Sequence, residues 1–426
     1  MNEENMSKTS LPYKILIEFS RLLVGLVFIF SGFVKGVDPT GSVYKFEDYF
    51  TAFHLDVLHG LAFPLAMGLI MAEFLIGMAL VFGVKIRWAA WGALVFMILF
   101  TPLTLILALT NPVSDCGCFG DALVLTNWQT FIKNLFILFF TLVTFLGRHH
   151  YKVYFYPLAE WFILGAFALF MIGIANYGLK YLPVIDFRPY SVGTSIPDDR
   201  TIPEGMPQDE YETVLIYEKD GERREFSMDN FPWQDSSWTF IDQRSYLVKE
   251  GYRPPIHDFN ILAPDGEDIT DIVLSKPNYV YLVVASHLSE SSMAGMKKAT
   301  ELMLYCQQYD QPFYVLSASS PSEIKTIQNA LGMSFDVHSL DETTLKTMIR
   351  SNPGLMILKD GVILDKMAWR SFPTPDALSG NHLSESLMSE SQGKSIWRIY
   401  GLFLSLVFIF MLSQYRFRIL HRPGPE

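Results

Sequence analysis

Six stretches of this chain are apolar for long enough to cross about 30 Å of hydrocarbon. They run at roughly 13–35, 60–83, 86–110, 129–147, 157–178 and 396–415. The first has no small-x-small cleavage site and further spans follow closely, so it is read as an uncleaved helix rather than a signal peptide. Between the fifth and sixth stretches lies a hydrophilic segment, 180 to 394, with two patterns. From 180 to 254 it is β-rich and irregular. Thr213–Glu218 and Arg224–Met228 flank Lys219-Asp220-Gly221-Glu222, a hairpin signal, and Pro and aromatic residues crowd around Phe231-Pro232-Trp233. From about 255 to 375 strands and helices alternate. Tyr279–Ala285 and Phe313–Ala318 read as buried strands, each followed by a helix. Leu355–Leu358 pairs with Val362–Leu364 through Lys359-Asp360-Gly361, and Asp258–Leu262 with Asp265-Gly266 reads as a leading hairpin. Ser384–Ser395 is a Ser/Glu-rich linker into the last span.

Basic residues orient the spans. Lys8 and Lys14 precede the first, Lys85 and Arg87 separate the second from the third, and Arg148 and Lys152, with His149 and His150, separate the fourth from the fifth. Arg416, Arg418 and Arg422 follow the sixth. With the N- and C-termini in the cytoplasm, every one of these clusters is cytoplasmic. The loop between the third and fourth spans, without Lys or Arg from Asn111 to Thr130, falls outside with the long hydrophilic segment. The expected setting is the inner membrane of a bacterium, with that segment in the periplasm.

Composition agrees: 50% hydrophobic and 15% aromatic residues suit a protein partly embedded in lipid. A formal net charge of −11 argues against nucleic acid as a partner. The bilayer is the expected environment.

Two of the three cysteines lie in that external loop, in Asp115-Cys116-Gly117-Cys118-Phe119-Gly120-Asp121. A Cys-Gly-Cys pair can close a small disulfide ring, with Gly supplying the φ freedom needed, and strained rings exchange easily. Three readings stay open: a redox-active dithiol, a static bridge, or reduced thiols or half a metal site. No metal is expected, because two thiolates are half a zinc site. Cys306 sits at helical spacing with Met296, Ala299 and Met303 and reads as a small core residue.

Ionisable residues inside spans are costly and mark function by default. Glu73 lies near the middle of the second span, open to proton handling, a cofactor-facing role or a helix–helix hydrogen bond. Glu18 and Arg21, three apart, share a face of the first, as a functional or merely structural pair. Lys35 ends that helix level with the cysteine loop, as anchor or thiolate stabiliser; Asp115 and Asp121 would push the thiol pKa the other way.

The motifs Arg21-Leu-Leu-Val-Gly, Ser31-Gly32-Phe33-Val34-Lys35 and Asp115–Asp121 make residues 10–150 resemble the DoxX and MauE family of four-helix membrane proteins. The whole layout is similar to the long form in Bacteroidota. The strand and helix order of 255–375 resembles a thioredoxin-like domain of the membrane-tethered, peroxiredoxin-related type. Asn352-Pro353-Gly354 stands where that fold carries a cis-proline, but Ser289-Glu290-Ser291-Ser292 replaces Cys-x-x-Cys. The expected architecture is an α-helical membrane bundle, four DoxX/MauE-like helices at 10–150 plus spans at 155–178 and 396–415. Outside it lie a β-rich segment (180–254) and an α/β thioredoxin-like domain (255–375).

The resemblance implies redox work, as in methylamine utilisation: Cys116 and Cys118 exchanging electrons with a periplasmic thiol or disulfide protein and passing them to a quinone. The external domain would dock the partner beside Pro353. The competing expectation is a non-enzymatic assembly or sensor protein whose Cys-Gly-Cys link braces a loop.

Overall fold

The computed structural model describes residues 11–113, 115–151, 155–207, 210–219, 221–233, 235–249, 251–373 and 392–420, the side chains of 392–399 and 417–420 excepted. Most of the Ser384–Ser395 linker lies outside these residues, as do Lys8, Lys152 and Arg422.

Helices α1 (Leu11–Val37), α3 (Ala62–Phe82), α4 (Ile86–Thr110), α5 (Asn127–Leu146) and α6 (Pro157–Lys180) realise the first five apolar stretches. Among the described residues, five helices are long and apolar enough to cross a membrane. Local chemistry sets their ends. Gly83, in the left-handed region, stops α3. Thr126 and Gln129 form a capping box that starts α5. Helix α2 (Pro39–Ala52) was not expected. The Asp38 carboxylate caps it by accepting from Gly41 N, and Pro39 occupies the first turn.

Where α1 crosses α3, lipid supplies no hydrophobic drive, so close backbone approach does the work. A Cβ on Gly32 would stand 2.5 Å from Phe74 N, and one on Gly77 would stand 2.5 Å from Ile29 N. Only Gly permits this spacing, and it brings Ser31 and Lys35 of α1 onto Glu73 of α3.

The hydrophilic segment between α6 and the last apolar stretch holds two sheets. Strands β1 (Glu210–Lys219), β2 (Glu222–Ser227) and β3 (Thr239–Lys249) form an antiparallel sheet in the order β2-β1-β3. The hairpin was legible; β3 was not. The second sheet contains β4 (Val280–Ala285), β5 (Phe313–Ser317), β6 (Val337–Ser339), β7 (Gly354–Lys359) and β8 (Val362–Ala368). Its order is β6-β5-β4-β7-β8, with β4 parallel to β5, β5 parallel to β6, and the β7–β8 hairpin antiparallel to β4. Helices α7 (Met293–Gln308), α8 (Pro321–Leu331) and α9 (Glu342–Met348) connect the strands. This is the thioredoxin-like order, with a cis peptide at Asn352–Pro353 before β7.

Strand β4 is buried on both faces, as a central parallel strand should be. Its Val280, Leu282 and Val284 enter one core with Ile363 and Leu345, while Tyr281 and Val283 enter another with Leu302 and Cys306. Cys306 is a buried core residue, as its helical spacing suggested. The expected leading hairpin is reduced to isolated bridges that Leu262 makes with Asp268 and Ser339. After β8, helix α10 (Gln392–Leu420) carries the last apolar stretch, of which Tyr400–Arg416 is the apolar part within the residues searched.

Candidate functional site

The loop between α4 and α5 is clasped from two sides. From α1, Ser31 Oγ lies 2.7 Å from the Cys118 carbonyl oxygen and 3.0 Å from Glu73 Oε2, two acceptors for its one proton. From α2, Tyr49 donates to the Cys116 carbonyl at 2.6 Å, and Lys45 pairs with Asp115 at 2.8 Å. Asp115 also accepts from Gly117 N at 2.8 Å, a local turn that the positive φ of Gly117 allows. Lys45 and Tyr49 are four apart on α2, hence on one face.

Cys116 and Cys118 are free, their sulfurs 3.0 Å apart. Such closeness lets one sulfur donate to the other, which separates their acidities. The hydrogen bond from Cys116 holds Cys118 down at about 6 against the opposing effect of burial, helped by the ammonium groups of Lys133 and Lys35. Cys116 moves the other way, because it gives its proton to Cys118 and is buried. Cys118 is thus the more acidic of the two sulfurs, because it accepts the hydrogen bond from Cys116 and lies near Lys133 and Lys35.

Lys35 lies level with the loop, as expected, and also turns into the bundle, where Nζ reaches Ser31 Oγ at 2.8 Å and closes an ion pair with Glu73. A cavity of about 210 Å³ opens beside the loop. Its lining includes the polar Cys118, Lys133, Asn134 and Glu73 and the apolar Phe28, Phe96, Phe100 and Leu103. Phe96 stacks on Phe100 at 4.3 Å and meets Phe28 edge-on at 5.1 Å. Apolar walls with a few convergent polar groups are what a small-molecule site needs. No group of three or more His, Cys, Asp or Glu that could hold a metal ion occurs among the described residues.

Other residues singled out in the sequence lie elsewhere. Arg21 pairs with Glu18 at 2.8 Å and donates to the carbonyls of Leu80 and Val81, where a cation caps the end of α3. That is roughly 15–20 Å along α1 from Ser31 and Lys35 at 1.5 Å per residue. Glu18 and Arg21 are therefore remote from the cysteine loop. Asp121 faces the external domain: with Asp38 it holds Arg350, at 3.2 and 2.8 Å respectively. The aspartates are engaged by Lys45 and Arg350.

Arg350 lies three residues before Pro353, so the cis-proline loop faces the bundle. Thr40 and Tyr44 of α2 line a cavity of about 190 Å³ with Ser351 and Asn352. Where Cys-x-x-Cys would stand, Ser291 Oγ donates to Asn352 Oδ1 at 2.7 Å and Ser292 caps α7.

Sequence reasoning missed Lys45, Tyr49, Lys133 and Arg350. For Lys133 a signal existed, since it is ionisable and lies within the apolar stretch 129–147. Asp38-Pro39 is a helix-start signal for the segment carrying Lys45 and Tyr49.

Comparison with known proteins bears on both halves. Residues 13–147 match the family model of the methylamine utilisation protein MauE, as the motifs of the first four spans led one to expect. Residues 211–250 match a domain of unknown function, DUF8463. No curated protein matches the chain. A solution structure of a candidate protein disulfide isomerase from Bacteroides thetaiotaomicron aligns at 13% identity with a TM-score of 0.25, covering 33% of this chain and 91% of that one.

Proposed function

We propose that this multi-pass membrane protein is a thiol–disulfide oxidoreductase. Its Cys116–Cys118 pair would take electrons from a periplasmic dithiol and pass them to a quinone of the inner membrane. The observation that carries the reading is the pair itself: two free sulfurs 3.0 Å apart, lining a cavity together with Lys133, Lys35 and aromatic side chains, with Cys118 held the more acidic by the Cys116 hydrogen bond and these lysines. The basic clusters on the opposite side of the spans support an external, periplasmic loop.

The chemistry follows from the acidities. In the oxidised state a partner thiolate attacks Cys116 Sγ and Cys118 leaves as the stable thiolate, because the sulfur of lower pKa departs faster. A second partner thiol then attacks the partner's own sulfur in the mixed disulfide and releases Cys116, which takes up one proton. The partner is oxidised to a disulfide and Cys116–Cys118 is reduced.

Return to the disulfide requires a two-electron acceptor. A lipid quinone, held against Phe96 and Phe100, would supply that capacity and take two protons. Lys133 and Asn134 would face its oxygen end, and Ser31, Lys35 and Glu73 form a connected polar path for protons. The matched family is named for methylamine utilisation, which would be the setting in which the pair serves.

Trapping in membranes tests this. With Cys118→Ser the pair cannot close, so Cys116 can only attack an already oxidised partner, the reverse of these steps. It should accumulate a mixed disulfide with an envelope protein, whereas Cys116→Ser should accumulate less. No mixed disulfide in either variant sinks the proposal. The serines at Ser289 and Ser292 favour a second reading, an assembly or sensor protein in which the cysteine pair only braces its loop. A reduction potential below about −300 mV would mark such a structural bridge.

A further inference from the structure

Helix α2 lies between the cysteine loop and the thioredoxin-like domain and turns a different face to each. Ser42, Lys45, Phe46 and Tyr49, at helical spacing, line the cavity beside the cysteines. Thr40 and Tyr44 stand on the opposite side of the helix and line the cavity shared with Ser351 and Asn352 of the cis-proline loop. On the first face α2 is a roof. Tyr49 holds the Cys116 carbonyl, Lys45 holds Asp115, and the Lys45 stem lies over Gly117, where an added Cβ would stand 3.0 Å from its Cγ. Cys116 beneath is only 9% exposed.

On the second face α2 is held by charge. Arg350 pairs with Asp38 at the start of the helix, and Lys346 and Arg350 bring their cations to 4.8 and 5.4 Å from the centre of the Tyr44 ring. Arg350 also reaches Asp121, so one guanidinium ties the roof to the loop below it. Pro353 itself is buried, close against Gly295 of α7. The ground beside the cis-proline loop, expected to receive a partner, is thus covered by a helix of the same chain.

This grip is built to part. Of the fourteen residues of α2 only Pro39 and Phe50 are buried. Cavities of about 210 and 190 Å³ remain along the contact with the domain. A contact of ion pairs and unfilled space lacks the broad apolar area that fixes two domains rigidly.

We infer that the thioredoxin-like domain is a clamp that holds α2 shut over Cys116 and Cys118, its cis-proline face engaging this helix in place of a separate partner. Release of α2 by Lys346 and Arg350 lifts the roof and opens the loop to a protein thiol. The inference concerns access to the sulfurs, so it stands apart from the redox reading.

The test uses the full chain in lipid nanodiscs. Tyr44→Cys with Lys346→Cys is joined by a short bis-maleimide while Cys116 and Cys118 are held oxidised. A phosphine then reduces the pair, and its alkylation by iodoacetamide is followed by mass spectrometry. Linking should slow alkylation about tenfold or more relative to the same variant with its two new thiols capped separately, because local opening then governs the rate. Tyr279→Cys with Lys359→Cys, a similar ring and ammonium contact within the domain, receives the same linker and should leave the rate unchanged. An unchanged rate after linking across the clamp, equal slowing in the control, or failure of the linker to join the two positions would each overturn the inference.

Discussion

Lys35 Nζ reaches both oxygens of the Glu73 carboxylate, at 2.9 and 2.8 Å, across two different membrane-spanning helices. Both side chains are less than a tenth exposed. Ser31 touches both of them and the Cys118 carbonyl, so the loop and the ion pair are parts of one network.

Removing one charge of this pair strands the other in a medium that solvates it poorly. Glu73→Gln is expected to cost about 3–5 kcal/mol, whereas Lys35→Met with Glu73→Leu recovers most of the loss. Unfolding in detergent, followed by helical circular dichroism, measures both. A double variant less stable than the single one would contradict the burial argument.

Reactivity of the reduced pair should follow Cys118. A group whose pKa is lowered is ionised above its new value, so alkylation by iodoacetamide should rise through about pH 6 and level off beyond it. An ordinary cysteine rises through about 8.5. Lys133→Met removes a stabilising cation and moves the midpoint upward, and Cys306→Ala leaves it in place. The midpoint belongs to the coupled pair, so both thiols are followed by mass spectrometry.

Arg350 joins the thioredoxin-like domain to the bundle through Asp38 and Asp121 and is only 7% exposed in its side chain. Truncating such a partner typically costs about 2–5 kcal/mol. Arg350→Ala should therefore loosen the clasp over the loop and raise the alkylation rate of buried Cys116 about tenfold or more, since about 1.4 kcal/mol is a factor of ten. An unchanged rate would mean that Cys116 is reached by another path.

Gly32 and Gly68 make a matched pair. A Cβ at Gly32 meets the backbone of Phe74, whereas one at Gly68 meets nothing within 4 Å. Gly32→Ala should push α1 from α3, cost about 1–3 kcal/mol as overpacking does, and slow thiol exchange by shifting Ser31. Gly68→Ala should be neutral or stabilise by up to about 1 kcal/mol through helix propensity. Equal effects of the two would refute the close-approach argument.

Hydropathy made the membrane spans readable, because lipid tolerates so few alternatives. Alternating apolar runs likewise revealed β4, β5 and the β7–β8 hairpin. Helix α2 escaped because Pro39–Ala52 mixes apolar, charged and small residues with no clear stripe. Strand β3 escaped because both of its faces mix apolar and polar residues. At the site, the cysteines and the buried charges were visible as anomalies of composition. Their partners were not: Arg350 and Asp38 are 312 residues apart, and only the folded chain brings them together. The partner of Asp121 was hidden for the same reason, since its cation comes from a distant loop.

The unequal acidities of Cys116 and Cys118 have an electrochemical consequence. Near neutral pH the reduced pair already holds one thiolate, so two electrons arrive with one proton rather than two. Its midpoint potential then falls by about 30 mV per pH unit, half the slope of a carrier that takes up one proton per electron. A quinone is such a carrier, so if it is the acceptor as proposed, each pH unit above about 6 would narrow the gap between donor and acceptor by about 30 mV. Oxidation of the pair would run most readily downhill in an acidified periplasm.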